Sequence, residues 1–493
     1  MLYLRQPTAT GVGRQFGASQ FSAPCPPFRR QWYSAMQQGH RAQQLVSLFR
    51  DVALPLADAY DATRAGFRWS RDDRALFVAD VRFPVDAIKR IFLVGAGKAG
   101  VPMARAVVDT LQQDELLWSR FAAGTVNVFR DQARTAVPRV TFFPADHPNP
   151  NDASVEGARA ALSLLSSTSE GDLVVAVISG GGSSLLTLPR EGICLEDFRA
   201  ANRALVTGGA TIQEINTVRK HLSQVKGGRL RAAAPAACFV TLVLSDVIGD
   251  DLSSIASGPT VPDPTTYSDA VGVLERHGLW ERIPESCRAH LLHGDPGEAG
   301  RAALWRDRLA PRTYSLVVAS NGVLLDSLER MLNAGQSPDL ATRVCREIAP
   351  VTGPVEHAVD AHFSRALEVS HVPGTLLLYG GEPVVSVPAD ARGTGGRMLH
   401  YALLAALRIA GRDWAVLASG TDGIDGTSPA AGAVVTGDTI ATARAHGLDA
   451  ERYLSAFDSY GFFKTLEDRS GATALVTTGP TGTNVNDIML WSL

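Results

Sequence analysis

The chain has 493 residues and a mass of 52.4 kDa, too long for one ordinary hydrophobic core, so two or more domains are expected. Hydrophobic residues make up 45% and charged residues 20%, the balance of a globular protein, and a net charge of −3 supplies no global basic field for nucleic acid or an anionic membrane. Five scattered cysteines, never spaced C-x-x-C, argue against a disulfide framework or a zinc site, and no apolar run reaches the ~20 residues of a membrane-spanning helix.

The first fifty residues contain no Asp, Glu or Lys but six arginines. Residues 1–40 are therefore expected to be a leader of the mitochondrial-presequence type, with a cytoplasmic location as the alternative. Between 41 and 67, Leu45, Leu48, Phe49, Val52 and Leu56 recur near helical spacing and predict one or two helices. Residues 90–94 then read as a buried parallel strand that runs directly into Gly95, Gly97 and Gly100, a G-x-G-x-x-G loop with Lys98 inside it. A helix beginning at Val101 would offer unpaired N–H groups and its positive dipole end to an anion, and Lys98 adds a full charge. A nicotinamide site would want an acid about 20 residues on. The first acid after the next strand, Asp131, lies well beyond that spacing, so the loop suits phosphate better than a dinucleotide.

Strands are expected at 125–129 and 140–144, followed by a turn in which His147 stands between residues that cannot continue a helix, then a helix through Leu165. The clearest buried strand, 172–179, opens into Gly180, Gly181, Gly182, Ser183 and Ser184. Three glycines permit close backbone approach and two hydroxyls add donors. Two such loops at strand ends converge on one crevice in a doubly wound parallel sheet. Residues 212–231 are rich in cations, of which Arg219 and Lys220 are candidates for seating a carboxylate. The strand at 238–245 ends in Asp246 and Asp250, and acids at a strand end suit Mg²⁺, which takes one or two carboxylates with substrate phosphate oxygens. A further strand is expected at 313–320. Residues 41–335 form the expected first domain, 336–372 a linker and 373–493 a smaller α/β domain. In the latter, strands at 375–379 and 384–387 precede a G-x-G-G turn ending in Arg397 and a helix over 399–409. A strand at 413–419 delivers Asp422, a third candidate metal ligand, and another is expected at 473–477.

Several long motifs, GAGKAG, HPNPND, SGGGSSLL, EINTVRKHLSQVKGGRL, LSDVIGDDLSSIASGPTVPDPTT, GTGGR, GTDGIDGTSPAAGA and TGPTGTNVND, occur in order from about residue 45 to the C-terminus. On these runs the chain resembles the glycerate 2-kinase family, two-domain proteins with a C-terminal MOFRL domain. The resemblance implies a Rossmann-like first domain, a smaller MOFRL domain and an active site in the cleft between them. It implies transfer of a phosphoryl group from ATP, with Mg²⁺, to the 2-hydroxyl of D-glycerate. The family's loop lysine falls on Lys98 and the arginine of its GGR motif on Arg397. This chain departs from the pattern just after Arg397: Met398, Leu399 and His400 stand where the family has Asn-Gln-Glu.

The inventory fits phosphoryl transfer, which needs alignment and charge neutralisation rather than covalent help. Gly95–Gly100 and Gly180–Ser184 would supply N–H donors, Lys98 and Arg397 cations, and Asp246, Asp250 and Asp422 the metal ligands. No nucleic-acid or membrane partner is expected, and a homodimer is left open. Two other functions remain at this point. An NAD(P)H-dependent hydroxypyruvate reductase would use the G-x-G-x-x-G loop, and a sugar-acid binding protein without chemistry would explain the departure at Met398–His400.

Overall fold

The computed structural model describes residues 39–295, 297–335 and 341–493, so all but the last two residues of the expected leader lie outside the described residues. A small antiparallel sheet of β1 (Phe67–Ser70), β2 (Ala75–Val78) and β3 (Val81–Pro84) precedes the first large sheet. That sheet comprises β4 (Ile91–Ala96), β5 (Phe121–Phe129), β6 (Val140–Ala145), β7 (Leu173–Ile178), β8 (Cys238–Leu244) and β9 (Thr313–Ala319). All six strands are parallel, in the order β6-β5-β4-β7-β8-β9. The chain reverses its direction of travel across the sheet between β4 and β7, and ligands of doubly wound sheets bind outside the strand ends at such a switch point.

The sheet is covered on both faces, which is why its strands read as continuous apolar runs. Along β4 the side chains alternate. Ile91 and Leu93 join a core with Val101, Val107 and Leu111 of the helix Gly100–Leu111. Phe92 and Val94 join another with Val155, Ala158 and Leu165 of the helix Asp152–Ser166.

The second sheet comprises β10 (Arg343–Arg346), β11 (Thr375–Gly381), β12 (Ala415–Gly420), β13 (Gly432–Thr436), β14 (Leu475–Val476) and β15 (Asp487–Ser492), in the order β10-β11-β15-β12-β13-β14. Only β10 and β11 pair in parallel. The stretch read as a linker thus contributes an edge strand, β10, and the helix Val355–Val369 to this unit. β10 is four residues with two arginines, too short and polar to show as a strand by its pattern. The strand expected at 384–387 is reduced to one bridge between Val384 and Pro354.

One face of this sheet, with Leu376, Leu378, Leu417 and Leu490, lies in the same core as β4 of the first sheet. The helix Asn321–Asn333 joins the two through Leu324, Leu325 and Leu328. Asn321 Nδ2 also donates to the carbonyls of Val485 and Asp487, each at 2.9 Å. The opposite face, with Leu377, Val416, Met489 and Trp491, packs with residues of the helices Val355–Val369 and Arg397–Ile409. The two units share one core along one side, and their loops meet beside it.

Candidate functional site

The two glycine loops meet at the β4–β7 switch point, but they divide the work unequally. In the first loop the N–H groups are already bonded: Gly97 to Asn127 O at 3.2 Å, Lys98 to Gly180 O at 2.9 Å and Ala99 to Ser179 Oγ at 3.0 Å. Gly97 allows this docking, since a Cβ there would lie 2.0 Å from Ser179 Oγ; a Cβ at Gly95 would lie 2.3 Å from Val177 O, and one at Gly100 2.9 Å from a Val128 methyl. The donors expected from Gly95–Gly100 thus brace the neighbouring loop, and only the exposed Lys98 side chain extends into the crevice. The second loop keeps its donors. Among the described residues, the N–H groups of Gly180 and Gly181 have no protein partner. Gly181 has φ +79°, and a side chain there would meet His147 Cδ2 at 3.1 Å and the Lys98 methylenes at 3.3 Å. Lys98 and His147 therefore flank the open donors. Ser183 Oγ is tied to Ser257 Oγ at 2.7 Å, whereas the Ser184 hydroxyl has no protein partner among the described residues.

Asp246, just beyond β8, lies over Gly180, where a Cβ would stand 2.1 Å from its Oδ2. Burial pushes its carboxyl up and nearby Glu382 adds to this, while Lys98 opposes. Asn486 Nδ2 joins the two acids' segments by donating to Asp246 O at 3.0 Å and Glu382 Oε2 at 3.3 Å. His147 is lowered below the usual imidazole range by burial and by the charges of Lys98 and Arg219, so it is neutral at pH 7.

Arg397 reaches the same crevice from the second unit, but as a bonded group. Its Nε donates to Asp487 Oδ2 at 2.5 Å and its Nη2 to Asp487 Oδ1 at 3.2 Å, and its Nη1 lies 2.9 Å from Glu382 Oε1. Burial pushes Asp487 up to about 7 while its bonds to Arg397 favour the carboxylate. The short bidentate geometry makes the ion pair the state to reason from. Met398 and Leu399 are fully buried and His400 is 6% exposed. Met398 and Leu399 donate their N–H groups to Asp425, at 3.1 and 2.7 Å, and His400 stacks on Phe457. Met398, Leu399 and His400 thus lie in the core behind the crevice.

The two cations on the helix Ile212–His221 part ways. Arg219 donates Nε to Asn202 Oδ1 at 2.7 Å and has no carboxylate partner among the described residues. Burial lowers it to about 10, which leaves it charged at neutral pH. Lys220 is buried and paired with buried Asp263 at 3.4 Å, so its charge is spent inside the fold.

The three acids expected to bind metal do not assemble. Asp250 accepts from Ser320 Oγ at 2.7 Å, which orients the N-cap of the helix Asn321–Asn333. Asp422 accepts from Ile424 N at 3.2 Å and closes its own turn. No three His, Cys, Asp or Glu side chains among the described residues form a metal cage. Asp246 with Glu382 nevertheless fits Mg²⁺, which needs only one or two carboxylates beside phosphate oxygens and would offset the burial, and the smaller repulsion from Glu382, that raise Asp246. Glu382, Asn486 and Asp487 carried no expected role, although Glu382 follows Gly380 and Gly381 and the other two end the TGPTGTNVND run. No helix among the described residues is long and apolar enough to cross a membrane.

Comparison with known proteins agrees with this architecture. Residues 48–292 match a family described as a domain of unknown function (DUF4147), and residues 375–487 match the MOFRL family. The chain is 36% identical over 444 residues to the glycerate 2-kinase of Pyrococcus horikoshii, covering 89% of this chain and 94% of that one. It is 41% identical over 406 residues to an Agrobacterium vitis protein provisionally named hydroxypyruvate reductase, covering 81% and 86%. The crystal structure of a glycerate kinase from Thermotoga maritima superimposes with a TM-score of 0.75 at 30% identity, over 94% of this chain and all of that one. This chain is an enzyme of the glycerate kinase family, with the family's MOFRL domain at its C-terminal end.

Proposed function

We propose that the enzyme transfers the γ-phosphoryl group of ATP to the 2-hydroxyl of D-glycerate, giving 2-phosphoglycerate and ADP. The observation that carries this reading is the pairing of open N–H donors at Gly180 and Gly181 with the Lys98 side chain, across from Asp246 and Glu382. Fixed donors and a cation around one point stabilise charge spread over the oxygens of a transferring phosphoryl group, and cost no reorganisation as it moves. Arg219, charged and without a carboxylate, suits the glycerate carboxylate. His147, held neutral beside Gly181, is available to take the hydroxyl proton. Asp246 and Glu382 would hold Mg²⁺, which supplies charge neutralisation on the donor phosphates. The name of the Pyrococcus horikoshii relative supports the 2-position.

The test is to incubate the purified enzyme with D-glycerate, ATP and Mg²⁺ and identify the product by phosphorus NMR. 2-Phosphoglycerate is expected; 3-phosphoglycerate would overturn the regiochemistry, and no ADP the transfer itself. The name of the Agrobacterium vitis relative favours one other reading, reduction of hydroxypyruvate. Against it, the first-loop N–H groups that a dinucleotide pyrophosphate would need are bonded to Asn127, Gly180 and Ser179. Consumption of NADH with hydroxypyruvate and no ATP would establish it. The acid-free first fifty residues support a mitochondrial address, which a reporter fused to residues 1–50 tests by where it accumulates.

A further inference from the structure

Lys226 is 1% exposed. Its ammonium donates to Ser183 O at 2.6 Å and Leu186 O at 3.1 Å. Between those carbonyls, Leu185 O accepts from the buried side chain of Asn127 at 2.8 Å. Thr187 Oγ1, also buried, donates to Ser183 O at 3.1 Å and Ser184 O at 3.0 Å. All four carbonyls of residues 183–186 are therefore held by buried side chains, and the only charge among those side chains is that of Lys226. No carboxylate lies within ion-pair distance of it among the described residues. The helix packed beside it contributes Lys220, paired with Asp263, and His221, whose Nδ1 meets Thr217 O at 2.8 Å. Arg229 donates to the carbonyls of Lys220 and Lys226. The charged group that acts on the ammonium is Arg219, of the same sign.

For packing alone this is a poor choice. A methionine would fill similar space with no buried charge, and an ammonium without a counter-charge destabilises a fold strongly. We propose that Lys226 is a positioning residue for the second glycine loop. Its ammonium clamps residues 183–186 so that Gly180 and Gly181 stay aimed at the donor phosphate, and that phosphate is the missing counter-charge. The inference rests on the phosphoryl-transfer reading above. Burial and Arg219 lower the ammonium to about 7 in the free enzyme. A phosphate in the loop would favour the charged form, so nucleotide binding and proton uptake become one event.

The experiment compares wild type with Lys226→Met and Lys226→Gln. Titration with ADP at pH 8 in two buffers of different ionisation heat should show uptake of most of one proton by wild type and none by either variant. At that pH the ADP phosphates are fully ionised. D-glycerate, whose carboxylate would offset only the Arg219 charge, should cause less uptake than ADP. Lys226→Met should keep or raise the thermal midpoint yet lose roughly tenfold or more in kcat, with a raised KM for ATP. Lys226→Gln, which keeps N–H donors without the charge, should retain part of kcat. Should Lys226→Met fail to fold, Lys226→Gln carries the same test. Equal proton uptake in wild type and Lys226→Gln, or unchanged kinetics in folded Lys226→Met, would overturn the proposal, and uptake on D-glycerate equal to or greater than that on ADP would overturn the assignment to the donor phosphate. A wild-type enzyme that binds ADP with proton uptake but phosphorylates nothing would sink the functional reading and leave the clamp standing.

Discussion

Lys98 and Arg397 are the glycine-loop cations that the two units bring to the crevice, and the fold treats them in opposite ways. Lys98 stands on a loop whose N–H groups are all engaged, and its side chain has no ion-pair partner among the described residues. Arg397 is held by Asp487 on one side and Glu382 on the other. The difference follows from where each loop lies. The first loop sits at a parallel-sheet switch point against another glycine loop, where Asp246 feels the Lys98 charge but forms no ion pair with it. The second opens a helix beside β15, whose first residue is Asp487. Charge in the crevice is therefore free on one side and balanced on the other, and on the proposed reading an incoming phosphate would meet Lys98 first.

Removing the free cation should have the largest effect. Lys98→Ala should lose about 10²–10³ in kcat with little change in thermal midpoint, because a preorganised electrostatic contact acts mainly in the transition state. Steady-state kinetics beside a thermal melt decides it; near-normal turnover in a folded variant would remove Lys98 from the chemistry. Removing the bonded cation should act first on the fold. Arg397→Ala leaves Asp487, 2% exposed, without its partner, and breaking such a pair costs about 3 kcal/mol or more. A melt with an unchanged midpoint would mean that the pair contributes nothing and that Arg397 is as available as Lys98. The double variant Arg397→Ala, Asp487→Asn separates the roles: if its stability recovers while kcat stays low, Arg397 also touches the phosphoryl group.

The acids gathered behind Arg397 give the balanced side a pH signature. Burial pushes Asp425 up to about 6, outweighing the N–H bonds from Met398 and Leu399. Unfolded, the same carboxyl titrates near about 4. Between those values the folded state keeps a proton that the unfolded state has lost, so this group's contribution to stability is greatest below about pH 4. It declines as pH rises to about 6 and is constant above. Two units correspond to about 3 kcal/mol at most. Denaturant melts of wild type and Asp425→Asn at pH 4.5, 6 and 7.5 should converge or diverge by that slope. A difference that is flat across the range would show that Asp425 is ionised throughout.

Much of the first sheet was legible, and for a stated reason. β4 and β7 are buried on both faces, so each appears as an unbroken apolar run ending in glycine, and convergence of their loops follows from the switch-point rule. β10 and β15 were not. The former is a short edge strand with two arginines, and the latter sits between β11 and β12 only because the chain returns to the middle of the sheet at its end. The site shows the same division. Residue types in the crevice could be named, but not who bonds whom. The N–H of Lys98 is taken by Gly180, and the guanidinium of Arg397 by an acid 90 positions away. Met398, Leu399 and His400 looked like altered site residues because they follow Arg397, yet the first turn of that helix aims them into the core.

Arg219 and Lys220 provide the smallest and sharpest test, since they are adjacent in the chain and resemble each other in charge. One copies the state of Lys98 and the other that of Arg397. Among the described residues Arg219 is bonded only through Nε to Asn202, and it lies near enough to lower both His147 and Lys226. Lys220 is closed off with Asp263. If free cations are the ones that meet substrate, Arg219→Ala should raise the KM for D-glycerate about tenfold with kcat largely kept, the pattern of a lost ground-state contact. Lys220→Ala should do the reverse, lowering the thermal midpoint as buried Asp263 loses its partner and leaving the KM of whatever remains folded unchanged. Lys is a poor replacement for Arg219, because an ammonium cannot hold Asn202 and a carboxylate at once in the planar fork of a guanidinium. Arg219→Lys should therefore recover only part of the KM. Unchanged KM values for both substrates in Arg219→Ala would mean that an unpaired cation in this crevice is not thereby a binding residue, and would weaken the same inference for Lys98.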